Sequence, residues 1–208
     1  MKKLNPYLQS QWKKDREKTV VFSQRVEEMR LLRDQIQGME PSEQAEWISR
    51  LDEIVKNETS PELRREAVLT LARVNQQPEA VDILSRLSKD KNDKVRLAVV
   101  SSLSNSRENV ATGVLLAMAA SDANTNVRLT ATRALGKHDN PQVREFLGKQ
   151  LDERNIAMRY QASQALEEMT GKRYGGDIDA WRSYLAGDDV PEPKASIAES
   201  LESFFLRR

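Results

Sequence analysis

Apolar side chains along the middle of this chain fall into two alternating helical stripes, and the phase of the pair repeats about every 32 residues. Four segments align on an arginine, Arg64, Arg96, Arg128 and Arg159, spaced 32, 32 and 31 residues apart. One residue earlier stands Leu63, Val95, Val127 or Met158; three later, Ala67, Val99, Ala131 or Ala162; seven later, Leu71, Leu103, Leu135 or Leu166. Offsets of −1, +3 and +7 lie on one face of an α-helix, so each segment predicts a helix with that face buried. Thirteen residues before each arginine comes a large apolar residue, Leu51, Ile83, Leu115 or Phe146, which predicts a preceding helix packed on the first.

A short polar turn with its own register joins the two helices. Six residues before the arginine the side chain is acidic (Glu58, Asp90, Asp122, Glu153), and four before it is Ser60, Asn92, Asn124 or Asn155. Ser and Asn accept the free N–H groups of a first helical turn, so these residues mark the helix starts, and Pro61 suits the first helical position. Self-similarity at this period is the sequence mark of a stacked repeat. The expectation is an all-α, right-handed α-solenoid of four helical hairpins, at about 41–75, 76–107, 108–139 and 140–170.

The flanks are atypical, as capping elements of a stack must be. Residues 1–40 predict an amphipathic capping helix carrying Phe22, Val26, Met29, Leu32 and Ile36, with Leu8 and Trp12 as an earlier pair, ended by Gly38. At 171–187 a glycine turn leads into a second capping helix, with Trp181 and Leu185 set to cover the last hairpin. Residues 188–208 read as a proline-broken linker and an apolar tail, in which Ile197, Leu201, Phe204 and Phe205 share one helical face. Such a face is a liability unless it docks somewhere.

The arginine period, the acidic turn and the Val-Arg-x-x-Ala-x-x-x-Leu second helix resemble short-period HEAT repeats, as in phycobilisome-lyase-type repeat domains and bacterial HEAT-repeat proteins. The glycine turn with its Ala180-Trp181 helix is similar to the closing segment of some of the latter. The resemblance implies an armadillo-like helical scaffold that binds protein partners.

Charge changes this picture little. The net charge of +1 provides no field for nucleic acid or an anionic membrane, although 1–37 carries nine Lys/Arg against five Asp/Glu and 174–208 carries four against seven. Cysteine is absent, which removes disulfides and thiolate chemistry. Lys2-Lys3 precedes no apolar leader core, and no stretch approaches the ~20 apolar residues of a membrane span, so a cytoplasmic protein with no membrane contact is expected.

Catalytic chemistry finds no constellation. His138 stands alone in a polar turn, no His-Glu pairs suggest a metal, no glycine elbow supports a serine nucleophile, and Gly175-Gly176 lacks a phosphate-loop pattern. Asp177, Asp179, Asp188 and Asp189 read as caps and linker residues. The expectation is therefore no catalytic, metal or cofactor site.

The arginine column Arg64, Arg96, Arg128 and Arg159 invites reading as a phosphate ladder. An acid accompanies each arginine, so a structural ladder tying the hairpins is expected instead. If the second helices present an outward face, positions five and nine after the arginine lie on it, including Leu69, Arg73, Arg133 and Lys137. These, with Ile197, Leu201, Phe204 and Phe205, are the candidate partner contacts. The mixed character of the face argues against nucleic acid, for which only the basic N-terminal stretch around Trp12 offers a patch. A bilin lyase or isomerase role follows from the resemblance alone. Pairing of two copies through the N-terminal stripe or the tail stays open.

Overall fold

The computed structural model describes residues 6–106 and 109–193, with side chains from Val21 onward. All regular structure among these residues is helical. The chain divides into two compact units, Met1–Val114 and Leu115–Arg208.

The first unit contains α1 (Pro6–Gln35), α2 (Pro41–Asn57), α3 (Pro61–Leu71), α4 (Pro78–Leu87) and α5 (Asp93–Leu103). Helix α2 pairs with α3 and α4 with α5, while α1, α3 and α5 form a second layer in which each packs on the next. The expected stripe is the core: Leu63, Ala67, Leu71, Val95, Val99 and Leu103 are all nearly or fully inaccessible. Proline opens α2, α3 and α4 at the position where a missing N–H costs nothing. Helix α1 covers α3 with Val26, Met29 and Leu32, and Ile36, which begins the 3-10 turn Ile36–Gly38 after α1, is buried too. Phe22, expected on that stripe, is 38% exposed, and Leu8 and Trp12 lie outside the described side chains. Polar contacts fix the seating of α1: Arg33 Nη1 donates to Glu66 Oε2 at 2.9 Å, and Arg25 pairs with Glu58.

Helix α6 (Asn109–Ser121) spans the boundary between the units, and the second unit continues with α7 (Thr125–Ala134), α8 (Pro141–Gln150), α9 (Ile156–Thr170) and α10 (Ile178–Ala186). Helix α9 packs on both α7 and α8, and α10 packs on α8. A 3-10 turn, Leu135–Lys137, follows α7 and presses on α9. A Cβ on Gly136 would stand 2.8 Å from the Ala165 carbonyl oxygen and 2.9 Å from its Cα, so glycine is what lets the two backbones approach.

One register differs from expectation. Leu51, Ile83 and Leu115 are buried, but in the last hairpin the buried side chain is Leu147, fully inaccessible, while Phe146 is half-exposed. The first helices keep a 32-residue period throughout, from Leu51 to Leu147, and the one-residue shortening falls between Leu147 and Arg159. Counting back from the arginine therefore lands one residue early.

Closure at the C-terminal end rests on Trp181, which is fully buried. Its Nε1–H donates to Ser163 Oγ at 3.0 Å and to the Gly175 carbonyl at 3.1 Å, and Tyr174 meets its ring edge-on at 4.9 Å. Gly171 and Gly187, with φ of 72° and 97°, stop α9 and α10 in the left-handed conformation that glycine adopts without strain.

Candidate partner-binding face and the arginine column

The turn between the helices of each hairpin has a shared geometry. In three copies the acidic side chain accepts the N–H two residues on, at 2.8 Å: Ser60 to Glu58, Asn92 to Asp90 and Asn124 to Asp122. The Ser or Asn then caps the second helix. Ser60 accepts from Leu63 N, Asn92 from Lys94 N, Asn124 from Asn126 N and Asn155 from Ala157 N.

The arginine completes the turn from inside the helix. Nη1 donates to the carbonyl six residues earlier in every copy: Arg64 to Glu58 at 3.1 Å, Arg96 to Asp90 at 2.8 Å, Arg128 to Asp122 at 2.7 Å and Arg159 to Glu153 at 3.1 Å. The shared partner is thus the backbone of the acidic residue, which the turn would otherwise leave without an intrahelical donor. Arg64 adds a bidentate pair to Asp90 in the next hairpin, Nε to Oδ2 at 2.7 Å and Nη2 to Oδ1 at 2.9 Å, with side-chain exposures of only 5% and 7%. Burial pushes the Asp90 carboxyl up, but the Arg64 fork, the Asn92 N–H and the Arg64 and Lys91 charges outweigh it and hold the group below the usual carboxylate range. The same fork raises Arg64. Glu58 is likewise held low, its burial outweighed by the Ser60 and Thr59 N–H groups and Arg25.

The outward row is solvated. Leu69 is half-buried on α3 and Arg73 exposed on the following 3-10 turn, Ala72–Val74; in the second unit Arg133 on α7 and Lys137 on Leu135–Lys137 are both exposed. Ser101, Asn105 and Glu168 are exposed and Gln164 half-buried, so apolar, cationic, neutral and acidic groups alternate along it. Ile197, Leu201, Phe204 and Phe205 lie outside the described residues. So does Trp12's side chain, with the basic residues up to Lys18.

His138 follows α7's 3-10 turn, as a turn residue should, yet it is buried, with its N–H on the Leu135 carbonyl at 2.9 Å. Only its polar neighbours were visible in sequence, and they gave no sign of burial. The clefts within each unit hold ionised groups already engaged with one another. One of about 750 Å³ between α8 and α10 is lined by Arg144, Lys149 and Asp152, which pair with Asp139, Glu145 and Arg182. A smaller one of about 360 Å³ between α2 and α4 contains Asp52, bound by Lys56 and Arg86. Among the described residues no cluster of three or more His, Asp or Glu is placed to hold a metal ion, and no helix is long and apolar enough to cross a membrane.

The family model for HEAT repeats matches the chain twice, over residues 48–125 and 114–202. The chain belongs to the HEAT-repeat family. Its fold class is accordingly an all-α solenoid of HEAT repeats, the arginine turns being the joints inside each repeat. HEAT repeats are generally protein-interaction scaffolds and typically non-catalytic. A crystal structure of an engineered protein is similar at 17% identity, with 78% of each chain covered and a TM-score of 0.46. No curated protein matches the chain.

Proposed function

We propose that this HEAT-repeat protein is a non-enzymatic adaptor that binds another protein through the outward faces of its second helices, with Leu69 and Arg73 contributing in the first unit and Arg133 and Lys137 in the second. The observation that carries the reading is a division of labour among cations at fixed offsets within the same repeats. The arginine column turns inward onto backbone carbonyls, whereas the cations at five and nine positions further on are exposed. The column is spent on the repeats themselves; the outward row carries side chains rich in hydrogen-bonding capacity around one apolar contact, the composition of a protein interface and its rim.

Charge reversal tests this. In the variant Arg73→Glu/Arg133→Glu/Lys137→Glu, partner proteins captured by the wild-type chain are expected to be recovered at least about tenfold less, a loss of about 1.4 kcal/mol, since like charges set against one another across an interface cost several kcal/mol. Undiminished recovery by a folded triple variant would remove the reading.

A further inference from the structure

Helices α2 and α4 lie side by side and are bridged by polar pairs at both ends of their contact. Gln77 Nε2, at the head of α4, donates to Gln44 Oε1 at 2.6 Å, and Arg86 near the end of α4 pairs with Asp52. The partners in these pairs stand 33 and 34 residues apart. The same offset sets Ala45 opposite Glu79 and Ser49 opposite Asp82, and neither of these small α2 side chains can answer an acid with a charge. An opening of about 360 Å³ is left between the two bridges, floored by Ile48 and Ile83, which are 3% and 4% exposed.

The acids along this opening differ in what they meet. Asp52 accepts from Lys56 Nζ at 2.7 Å as well as from Arg86; burial pushes its carboxyl up, but these two cations outweigh it and hold the group below the usual carboxylate range. Glu79 and Asp82 are exposed, one turn apart on α4, and among the described residues neither side chain has a hydrogen bond or ion pair. Asp82 has Arg86 one turn further on, the usual partner on a helix surface, yet Arg86 crosses to Asp52 instead. Helices α2 and α4 together carry six Asp/Glu against three Lys/Arg, and all three cations are engaged, the third being Arg50 on Glu46. The cleft therefore presents two unmatched carboxylates beside an apolar floor.

A long cationic side chain meets both features at once, its methylene stem covering Ile48 and Ile83 while its head pairs with the carboxylates. A bare metal or ammonium ion would gain nothing from the floor. We propose that the cleft between α2 and α4 is a docking site for a basic segment of a partner protein, which inserts a lysine or arginine side chain between Ala45 and Ser49 on one wall and Glu79 and Asp82 on the other. Charge complementarity selects the partner, and the apolar floor selects a side chain over a free ion. None of these residues belongs to the outward row of the second helices, so this surface stands or falls independently of that row.

The test titrates the isotopically labelled full chain, at low ionic strength, with acetyl-Ala-Arg-Ala-Ala-Arg-Ala-amide, whose arginines are spaced like Glu79 and Asp82. Saturating backbone amide shifts are expected at Ala45, Ser49, Glu79 and Asp82, and none there from the same peptide with glutamine in place of arginine. Glu79→Gln/Asp82→Asn is expected to weaken binding at least about fivefold, as the loss of two ion pairs implies. Ser49→Arg, which sets a cation of the chain's own opposite Asp82, is expected to weaken it as much by filling the gap. All three positions are exposed, and unchanged amide positions away from the cleft report an intact fold. Absence of shifts in the wild type, or equal affinity of the wild type and either variant, would overturn the proposal. So would shifts spread evenly over exposed acids such as Glu43 and Glu53, which would show only general attraction to a negative pair of helices.

Discussion

Replacing Arg64 with methionine is expected to destabilise the protein by about 3–5 kcal/mol, the range seen when one partner of a buried ion pair is removed. Methionine fills much of the volume but supplies none of the donors, so the Asp90 carboxylate, 7% exposed, loses its fork and the Glu58 and Thr59 carbonyls lose Nη1. At about 2–4 °C per kcal/mol for a chain of this size, the melting temperature should fall by some 6 °C or more. Adding Asp90→Asn should recover part of the loss, because the second change removes the stranded charge. Acid exposes the same pair. The folded Asp90 carboxyl sits below its unfolded value, so the stability it contributes is present above the unfolded value and disappears as pH drops through the folded one. The wild type should therefore lose stability on acidification more steeply than Asp90→Asn does. Urea unfolding followed by circular dichroism measures all three, and a loss under about 1 kcal/mol for Arg64→Met would contradict the buried fork.

Trp181→Ala is expected to cost a similar amount, about 3–5 kcal/mol, through the cavity left by a fully buried indole. Its edge-on contact with Tyr174 goes too, and the Ser163 hydroxyl and Gly175 carbonyl lose the indole donor. Trp181→Phe separates these contributions, since it restores most of the ring volume without the N–H and should cost about 1–3 kcal/mol less than alanine. Because repeat proteins unfold in segments, the loss should concentrate in the second unit, where amide exchange of α8 and α9 should quicken while that of α2 and α3 does not. Uniform quickening across both units would show that Trp181 is not a local closure.

The arginine column was legible as a column, because a charged residue recurring beside an acidic one at fixed spacing can be read without coordinates. Its principal partner was not. Sequence displays side-chain types, and an acid six residues before each arginine suggests a carboxylate; the bond common to all four copies goes instead to that residue's carbonyl, a group every residue possesses. The acid has a different task, closing the turn onto the cap residue. Phe146 stands in the place of Leu147 for a related reason: a period counted from the second helix carries the one-residue shortening between Leu147 and Arg159 into the first helix. His138 reads as a turn residue among Lys137, Asp139 and Asn140, and so it is, but those neighbours carry no sign of the burial that the structure gives it. For the candidate binding face, the offsets could be read and the exposure of Arg73, Arg133 and Lys137 agrees with them, but Leu69 is partly covered, which periodicity alone does not reveal.

The central claim is that two sets of cations in the same repeats differ in role, one holding the repeats and the other meeting a partner. Photo-crosslinking from single positions of the full chain tests it most directly, with a photoreactive side chain placed at Arg73, at Arg133 or, as an outside control, at the exposed Glu145 of α8. The account predicts adducts to the same second protein from Arg73 and Arg133 and none from Glu145. Adducts from Glu145 with none from either arginine would contradict it.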